Sequence, residues 1–137
     1  MDPDQELYVV LQRTADWLMA DVQSLLKGHG LSHQQYNVLR ILRGVKGPLN
    51  CTEIANRMIN RDPDMTRLLD RMETRGWIER ARAVEDRRVV LASITESGMA
   101  LLAELDEPVT ECHRRQFSGL DAEQKAQITE TLKLLLG

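Results

Sequence analysis

The chain is poor in aromatic residues, cysteines and long apolar runs, and each shortage excludes a class of protein. Among 137 residues there are two tryptophans, two tyrosines and one phenylalanine, so we expect a core of leucine, isoleucine, valine and methionine. Two cysteines, Cys51 and Cys112, are too few for a disulfide framework. No apolar run approaches the ~18 residues of a membrane span. The acidic residues 1–6 do not resemble a secretory signal, so we expect a cytoplasmic protein.

The charge balance does not by itself indicate a nucleic-acid-binding protein. The formal net charge is -3, and the chain is 42% hydrophobic and 28% charged, as is ordinary for a globular protein. Residues 61–88 hold eight arginines and seven acidic residues, a local charge of +1. A chain of this length is expected to form one domain. The arrangement of the arginines is therefore more informative than their number.

Helix-start signals recur along the chain. Asp2 followed by Pro3 predicts the start of a long first helix, which should end near Lys27. Ser32 with Gln35 forms a capping-box pattern that predicts a second helix. Further helix starts are predicted at Asn50 with Glu53, Asp62 with Pro63, Thr95 with Glu96, and Asp121 with Gln124. The two short helices that begin at 50 and 62 are separated by a brief turn, which is the helix-turn-helix pattern.

The second of these short helices is predicted over residues 62–75, with Asp62 as its N-cap and Gly76 after its end. Its apolar residues follow a helical period and predict a buried face, formed by Met65, Leu68, Leu69 and Met72. The opposite face carries Pro63, Arg67, Asp70 and Thr74. Such side chains can hydrogen-bond to base edges and phosphates.

A β-hairpin is predicted after this helix, with strands over residues 77–82 and 88–94 and a charged tip between them. Pro108 is expected to kink or split the helix that follows. The predicted fold is mainly α with a small β-hairpin wing. Residues 31–95 would form a winged helix-turn-helix lobe. Residues 1–30 and 96–137 would supply dimerisation helices, whose natural partner is a second copy of the chain.

Residues 31 to about 102 resemble the MarR family, the multiple-antibiotic-resistance regulators. The resemblance is carried by the segments LSHQQYNVLRIL, PLNCTEIANRM, TRLLDRMETRGWIER and EDRRVVLASITESGMALL. Asp86-Arg87-Arg88 matches the family's Asp-x-Arg wing motif. Ile94-Thr95 with Gly98 matches its leucine-threonine-x-x-glycine hinge. The resemblance implies a dimer whose recognition helix enters the major groove and whose wing lies at the minor groove. Many relatives respond to a small phenolic or other organic ligand, and some respond to thiol oxidation or metal.

Eight residues are the candidate DNA contacts, namely Arg61, Asp64, Thr66, Arg67, Arg71, Asp86, Arg87 and Arg88. Arg67 is expected to reach base edges and Arg88 the minor groove. Asp64 could accept a hydrogen bond from a cytosine amino group. Asp86 is expected to orient an arginine or to close the turn and not to touch DNA itself, because phosphates would repel its carboxylate. The others are candidate phosphate contacts, as are Arg57 and Arg75; for each arginine the alternative is an ordinary surface charge.

The candidate effector pocket includes Trp17 and Tyr36, for which core packing is the alternative. The three histidines, His29, His33 and His113, have no metal-ligand spacing, so we expect no metal and no cofactor. Cys51 at a helix start leaves open a redox switch, although its apolar neighbours favour packing.

The sequence therefore predicts a dimeric regulator that binds palindromic double-stranded DNA, with half-sites ~34–36 Å apart. A repressor released by a small aromatic or other organic effector is the favoured form. The alternatives are a winged helix that contacts protein instead of DNA, and a redox- or metal-responsive regulator of the same fold. An enzyme is not expected, because the sequence has no nucleophile-base pair and no glycine-rich phosphate loop.

Overall fold

The computed structural model describes residues 1–137 and contains six helices and one three-stranded antiparallel sheet. The helices are α1 (Pro3–Lys27), α2 (His33–Gly44), α3 (Cys51–Arg57), α4 (Met65–Thr74), α5 (Glu96–Gln116) and α6 (Ala122–Leu136). The strands are β1 (Leu49–Asn50), β2 (Ile78–Arg82) and β3 (Val90–Ile94), in the spatial order β1-β3-β2. The predicted class, mainly helical with a β-hairpin wing, is confirmed. None of the helices is both long and apolar enough to cross a membrane.

Side-chain caps fix most of the helix starts where the sequence predicts them. The Ser32 hydroxyl accepts from the Gln35 N–H at 3.1 Å, and the Gln35 side chain accepts from the Ser32 N–H at 2.9 Å. The same reciprocal box begins α3, between Asn50 and Glu53. It also begins α6, between Asp121 and Gln124. Each box satisfies two N–H groups that a helix leaves without a partner.

The start of α4 differs from the prediction. The helix begins at Met65, and its N-cap is Asp64, whose Oδ1 accepts from the Arg67 N–H at 3.0 Å. Asp62, the predicted cap, instead accepts from the Asp64 N–H at 2.8 Å and closes the preceding turn. The sequence Asp-Pro-Asp offers two acceptors at similar positions, so the local pattern did not distinguish them.

Asp64→Ala is expected to destabilise the protein by about 1 kcal/mol, because it leaves the first turn of α4 without its acceptor. Asp62→Ala should cost less, since it removes a turn bond and leaves the helix capped. Urea unfolding of the two variants measures the difference. An Asp62→Ala variant that is the less stable of the two would show that Asp62 is the effective cap.

The sheet contains a strand that the sequence analysis missed. The two residues of β1 pair with β3, with Leu49 opposite Ala92 and Asn50 opposite Leu91. A two-residue segment has no detectable alternation, so its pairing is set by the tertiary fold. The wing strands are shorter than predicted and begin at Ile78 and Val90.

The core lies where α2, α3, α4, α5 and the end of α1 meet the base of the sheet. Leu26, Leu39, Ile54, Met72 and Leu102 are fully buried. Each such side chain contributes about 1.5–3 kcal/mol relative to an exposed one. All four residues of the predicted apolar face of α4 belong to this core, so the predicted orientation of that helix is confirmed.

The two ends of the chain contribute little to this core. In α1 only Val22 and Leu26 are buried, and α6 has no buried residue. Large apolar side chains remain exposed along both helices, namely Leu7, Tyr8, Val9, Val10, Trp17, Ile128, Leu134, Leu135 and Leu136. Apolar surface of this extent on a small chain is typical of an association site.

Pro108 lies inside α5 without interrupting it, so the predicted split of this helix does not occur. A bidentate ion pair between Arg43 of α2 and Asp106 of α5 holds the two helices together, with N···O distances of 2.9 and 3.0 Å. The hydrogen bonds from Arg43 lower the pKa of Asp106 below its usual value.

The junction between the wing and α5 is very closely packed. The Thr95 hydroxyl donates to the Gly76 carbonyl at 2.6 Å and accepts from the Gly98 N–H at 3.1 Å. The Thr95 N–H donates to the Trp77 carbonyl at 3.0 Å. Gly98 is buried, and a Cβ atom on it would overlap the Trp77 carbonyl oxygen. Only glycine therefore allows this approach of α5 to the wing.

Candidate nucleic-acid interface

The outward face of α4 presents free basic and hydroxyl side chains. Thr66, Arg67 and Arg71 are all exposed, whereas the four apolar residues on the other side are buried. The guanidinium groups of Arg67 and Arg71 take part in no intramolecular ion pair, although the Arg67 backbone N–H bonds the Asp64 cap. A free arginine on an exposed helix face can bond to a guanine edge or to a phosphate.

The charge of Asp70 on this face is compensated within the protein. Its carboxylate pairs with the guanidinium of Arg80 on β2, and the same guanidinium lies 3.0 Å from Glu73 Oε1. The sequence placed Asp70 on the outward face, which is confirmed by its exposure, but did not identify its partner. Thr74, on the same face, donates its hydroxyl to the Asp70 carbonyl at 3.0 Å.

The wing tip is organised by Asp86. Its Oδ1 accepts from the backbone N–H and from Nε of Arg88, each at 3.0 Å, and its Oδ2 accepts from the terminal guanidinium nitrogen at 3.0 Å. Both roles predicted for Asp86 are present, since it orients an arginine and closes a turn. Hydrogen bonds from Arg88 lower the pKa of Asp86, and that pairing raises the pKa of Arg88.

Arg88 nevertheless remains almost fully exposed, with 91% of its side chain accessible. Arg87 is also exposed, and its carbonyl accepts from the Arg82 guanidinium at 2.7 Å. The aspartate thus holds Arg88 in one orientation without removing it from solvent. A preoriented cation loses less side-chain freedom when it enters a groove of negative potential.

Other arginines of the same stretch have partners within the protein. Arg61 donates to the Asn56 side chain at 2.8 Å, and Arg57 donates to the Glu53 carbonyl at 2.9 Å. Arg75 donates to the Gly30 carbonyl at 3.1 Å and lies 4.3 Å from the ring centroid of the buried Trp77. The bond from Arg75 to Gly30 ties the end of α4 to the turn after α1. These contacts occupy Arg75 more fully than Arg67.

The two residues predicted to line the effector pocket, Tyr36 and Trp17, differ in burial and do not line the same cavity. Tyr36 is buried and lines a cavity of about 370 Å³, whereas Trp17 is 53% exposed on α1 and does not line it. Within one protomer the expected pairing of Trp17 with Tyr36 is therefore absent. Most of the cavity wall, including Asn37, Arg40 and Ile59, is not predicted from the sequence.

The cavity has a mixed lining of aliphatic, aromatic, cationic and imidazole side chains. The Arg40 guanidinium lies 5.9 Å from the Tyr36 ring centroid. His33 and His113 also line the cavity, and burial lowers the pKa of His33, which favours a neutral imidazole. His113 Nδ1 is 2.9 Å from Gln116 Oε1. Such a lining suits a small organic molecule that has both an apolar ring and an acidic or polar group.

The remaining candidates for metal or redox chemistry are dispersed. The histidine, cysteine and carboxylate side chains form no group of three or more that could hold a metal ion. Cys51 is half-buried as the first residue of α3 and packs against the core, and Cys112 is buried in α5. The packing expected for Cys51 is thus present, while its redox role stays an untested alternative.

Taken together, α3 and α4 form a helix-turn-helix, and β2 and β3 form a wing that begins a few residues after α4. Exposed arginines lie on the outward face of α4 and at the tip of the wing, and the inner face of α4 and the base of the wing belong to the core. These features define a winged helix-turn-helix DNA-binding protein.

Comparisons with known proteins give the family. Residues 31–90 match the model of the MarR family. A MarR transcription factor from Planctomyces limnophilus is 39% identical, with a TM-score of 0.76 over 98% of each chain. The homoprotocatechuate degradative operon repressor of Escherichia coli is 28% identical over 128 residues, which are 93% of this chain and 85% of the repressor. The chain belongs to the MarR family and is a DNA-binding transcriptional regulator, not an enzyme.

The fold is also shared with more distant members of known structure. A cysteine-to-serine variant of Escherichia coli MarR, solved in complex with operator DNA, is 23% identical and has a TM-score of 0.88 over the full length of both chains.

Proposed function

We propose that the protein is a homodimeric repressor that binds a palindromic operator and leaves it when a small organic effector binds. The observation that carries the proposal is the pair of exposed arginines, Arg67 on α4 and Arg88 on the wing, within one winged helix. The repressor name of the Escherichia coli relative and the operator complex of Escherichia coli MarR support it. A cytoplasmic location follows from access to DNA.

In this proposal the eight candidate residues divide by task. Arg67 contacts base edges in the major groove, and Arg88 enters the minor groove. Thr66, Arg71, Arg61 and Arg87 contact phosphates. Asp86 acts through Arg88, because its two oxygens already accept from that residue. Asp64 Oδ1 accepts in the cap of α4, and Oδ2, which accepts no hydrogen bond within the protein, can accept from a cytosine amino group.

The experiment that tests DNA binding is titration of duplex DNA from the protein's own promoter region at several salt concentrations. Binding through ~6–10 phosphates should weaken ~10³–10⁵-fold between 50 and 200 mM salt. Affinity that is absent or insensitive to salt would instead favour the alternative in which the winged helix contacts protein.

The second copy of the chain is the proposed partner for the exposed apolar residues of α1 and α6. In this arrangement residues 1–30 and 96–137 form the dimer and residues 31–95 form the DNA-binding lobe. The apolar side chains exposed at both ends of the chain, such as Val10, Trp17 and Ile128, would become buried. Sedimentation equilibrium at micromolar concentration should give twice the mass of 15.7 kDa. A monomer under those conditions would contradict the dimer and the palindromic operator together.

The cavity lined by Tyr36 and Arg40 is the proposed effector site. A thermal-shift screen of small aromatic acids should find compounds that raise the melting temperature, since a ligand that binds the folded state stabilises it. The same compounds should release operator DNA, because an effector acts by preferring one arrangement of the two lobes. Release that is unaltered by Arg40→Ala would place the effector elsewhere.

A further inference from the structure

The wing and the recognition helix are joined by an ion cluster at the protein surface, the wing brace, formed by Asp70, Glu73 and Arg80. Asp70 and Glu73 lie three residues apart on α4, and Arg80 lies on β2. The Arg80 guanidinium pairs with both carboxylates. The Arg80 backbone N–H also donates to Glu73 Oε2 at 3.0 Å, and its Nε lies 3.3 Å from Glu73 Oε1.

The position of the brace along β2 shows which part of the wing extends beyond its attachment to α4. Ile78, at the base of β2, is buried, and Arg80 is the last residue of that strand that is even half-buried. Beyond it, Ala81 and Arg82 are exposed, and Val84 near the tip is 90% exposed. The brace is therefore the outermost attachment between the wing and α4. The distal part of the wing, including Arg88, is held relative to Arg67 by this brace on the β2 side and by the pairing of β3 with β1, which reaches Leu91 opposite Ala81, on the other side.

We propose that Arg80 is a positioning residue that fixes the distance between the major-groove reader Arg67 and the minor-groove reader Arg88 through its bonds to Asp70 and Glu73. The inference rests on the proposed roles of those two arginines. With the brace in place, helix and wing read DNA as one rigid unit. The protein then recognises the spacing between the two contacted sites as well as the sites themselves.

A direct contact between Arg80 and phosphate is the competing interpretation. The Arg80 side chain is only 21% exposed and pairs with two carboxylates, so its positive charge is already compensated within the protein. Asp70 separates the two interpretations, because it is an exposed carboxylate on the face of α4 that meets DNA. Removing its charge should strengthen binding to every duplex if electrostatics alone matter. Removing it should weaken operator binding if the brace matters.

The test uses the full-length protein and an operator selected by it from a random duplex library. Affinity is measured for that operator, for the operator with one base pair inserted between the major-groove and wing sites, and for a scrambled duplex. Asp70→Asn and Arg80→Gln are expected to lose at least 10-fold in operator affinity. Their affinity for the scrambled duplex should change less than 3-fold. The ratio of their affinity for the original operator to that for the operator with the inserted base pair should be smaller than in the wild-type protein. The double variant should lose no more than Arg80→Gln alone, because the two residues act as one unit.

Glu79→Gln is the matched control, since Glu79 is exposed on the same strand and forms no ion pair. It should leave the operator preference unchanged. Tighter binding of all three duplexes by Asp70→Asn, or unchanged operator binding by both variants, would overturn the brace. A salt slope reduced by about one per subunit in Arg80→Gln would also overturn it, by identifying a phosphate contact. If Arg80→Gln does not fold, the affinities of the Asp70→Asn variant for the three duplexes are sufficient to test the brace, because Asp70 is exposed. Failure of the wild-type protein to select any duplex would instead refute the proposed function.

Discussion

Replacing Arg67 and Arg88 with alanine is expected to abolish specific operator binding. A bidentate arginine–guanine contact provides ~1–3 kcal/mol of discrimination, and a dimer loses it in both half-sites. Arg67→Ala alone should therefore reduce operator affinity about 30-fold or more while relaxing the sequence preference at one position in each half-site. Fluorescence anisotropy with the selected operator and with single-position variants of it measures both effects.

Arg88→Ala should produce a different signature from Arg67→Ala. Arg88 is held by Asp86 as an exposed cation, so its loss should reduce the dependence of log K on log salt by ~0.9 for each contact. Its effect should be largest on operators with a narrow A·T-rich minor groove at the wing site. The two arginines then contribute to separate parts of recognition, and the double variant should retain only weak nonspecific binding.

Arg114→Ala is the matched control for charge. Arg114 is an exposed arginine of α5 and pairs only with neighbouring acids of its own helix, Glu107 and Glu111. It removes the same charge from the protein without touching the winged helix, so operator affinity should change less than 3-fold. Operator affinity retained by the Arg67→Ala and Arg88→Ala double variant would reject the assignment of both residues.

Gly98→Ala is expected to be the most destabilising single-methyl substitution in the chain. Its Cβ would overlap the Trp77 carbonyl oxygen and would lie 2.8 Å from Ile94 Cγ1. The backbone oxygen cannot move alone, because the Thr95 N–H bonds to the same Trp77 carbonyl. Overpacking a core typically costs ~1–3 kcal/mol and occasionally more, and we expect the upper end of that range.

Gly44→Ala provides the opposite expectation for the same chemical change. Gly44 is the last residue of α2, and a Cβ there would meet nothing within 4 Å. Alanine should be neutral or stabilising by up to ~1 kcal/mol, because it restricts the unfolded chain. Thermal and urea unfolding of the two variants should shift in opposite directions. A Gly98→Ala variant as stable as wild type would mean that α5 can withdraw from the wing without cost.

Much of the architecture follows from interactions between residues close in sequence. The boxes at Ser32, Asn50 and Asp121 join residues three positions apart, so their effect is visible in the sequence. The apolar period of α4 likewise fixes which face is buried, and Asp86 with Arg88 forms its contacts across two positions. Each of these predictions was confirmed because no distant partner competes for the same groups.

Two of the errors concern contacts between residues far apart in sequence, and the third concerns two neighbouring residues that offer the same hydrogen-bond acceptor. The strand β1 exists only because β3, about forty residues later, supplies its hydrogen bonds. Tyr36 lines a cavity whose other walls come from α1, α5 and the turn before α4, so Trp17 could not be placed relative to it from sequence. Asp64 rather than Asp62 caps α4, where two equivalent acceptors stand side by side.

The sequence by itself determined the order of the helices, the helix-turn-helix with its wing and the buried face of α4, because these depend on short-range periodicity and caps. The tertiary structure decided which arginines are free to meet DNA. Arg75 bonds to a carbonyl 45 positions away, and Arg80 is taken up by α4, whereas Arg67 has no ionic partner and Arg88 remains exposed. Arginines within one short stretch of sequence are thus either bonded within the protein or available to DNA, because their partners come from other elements of the fold.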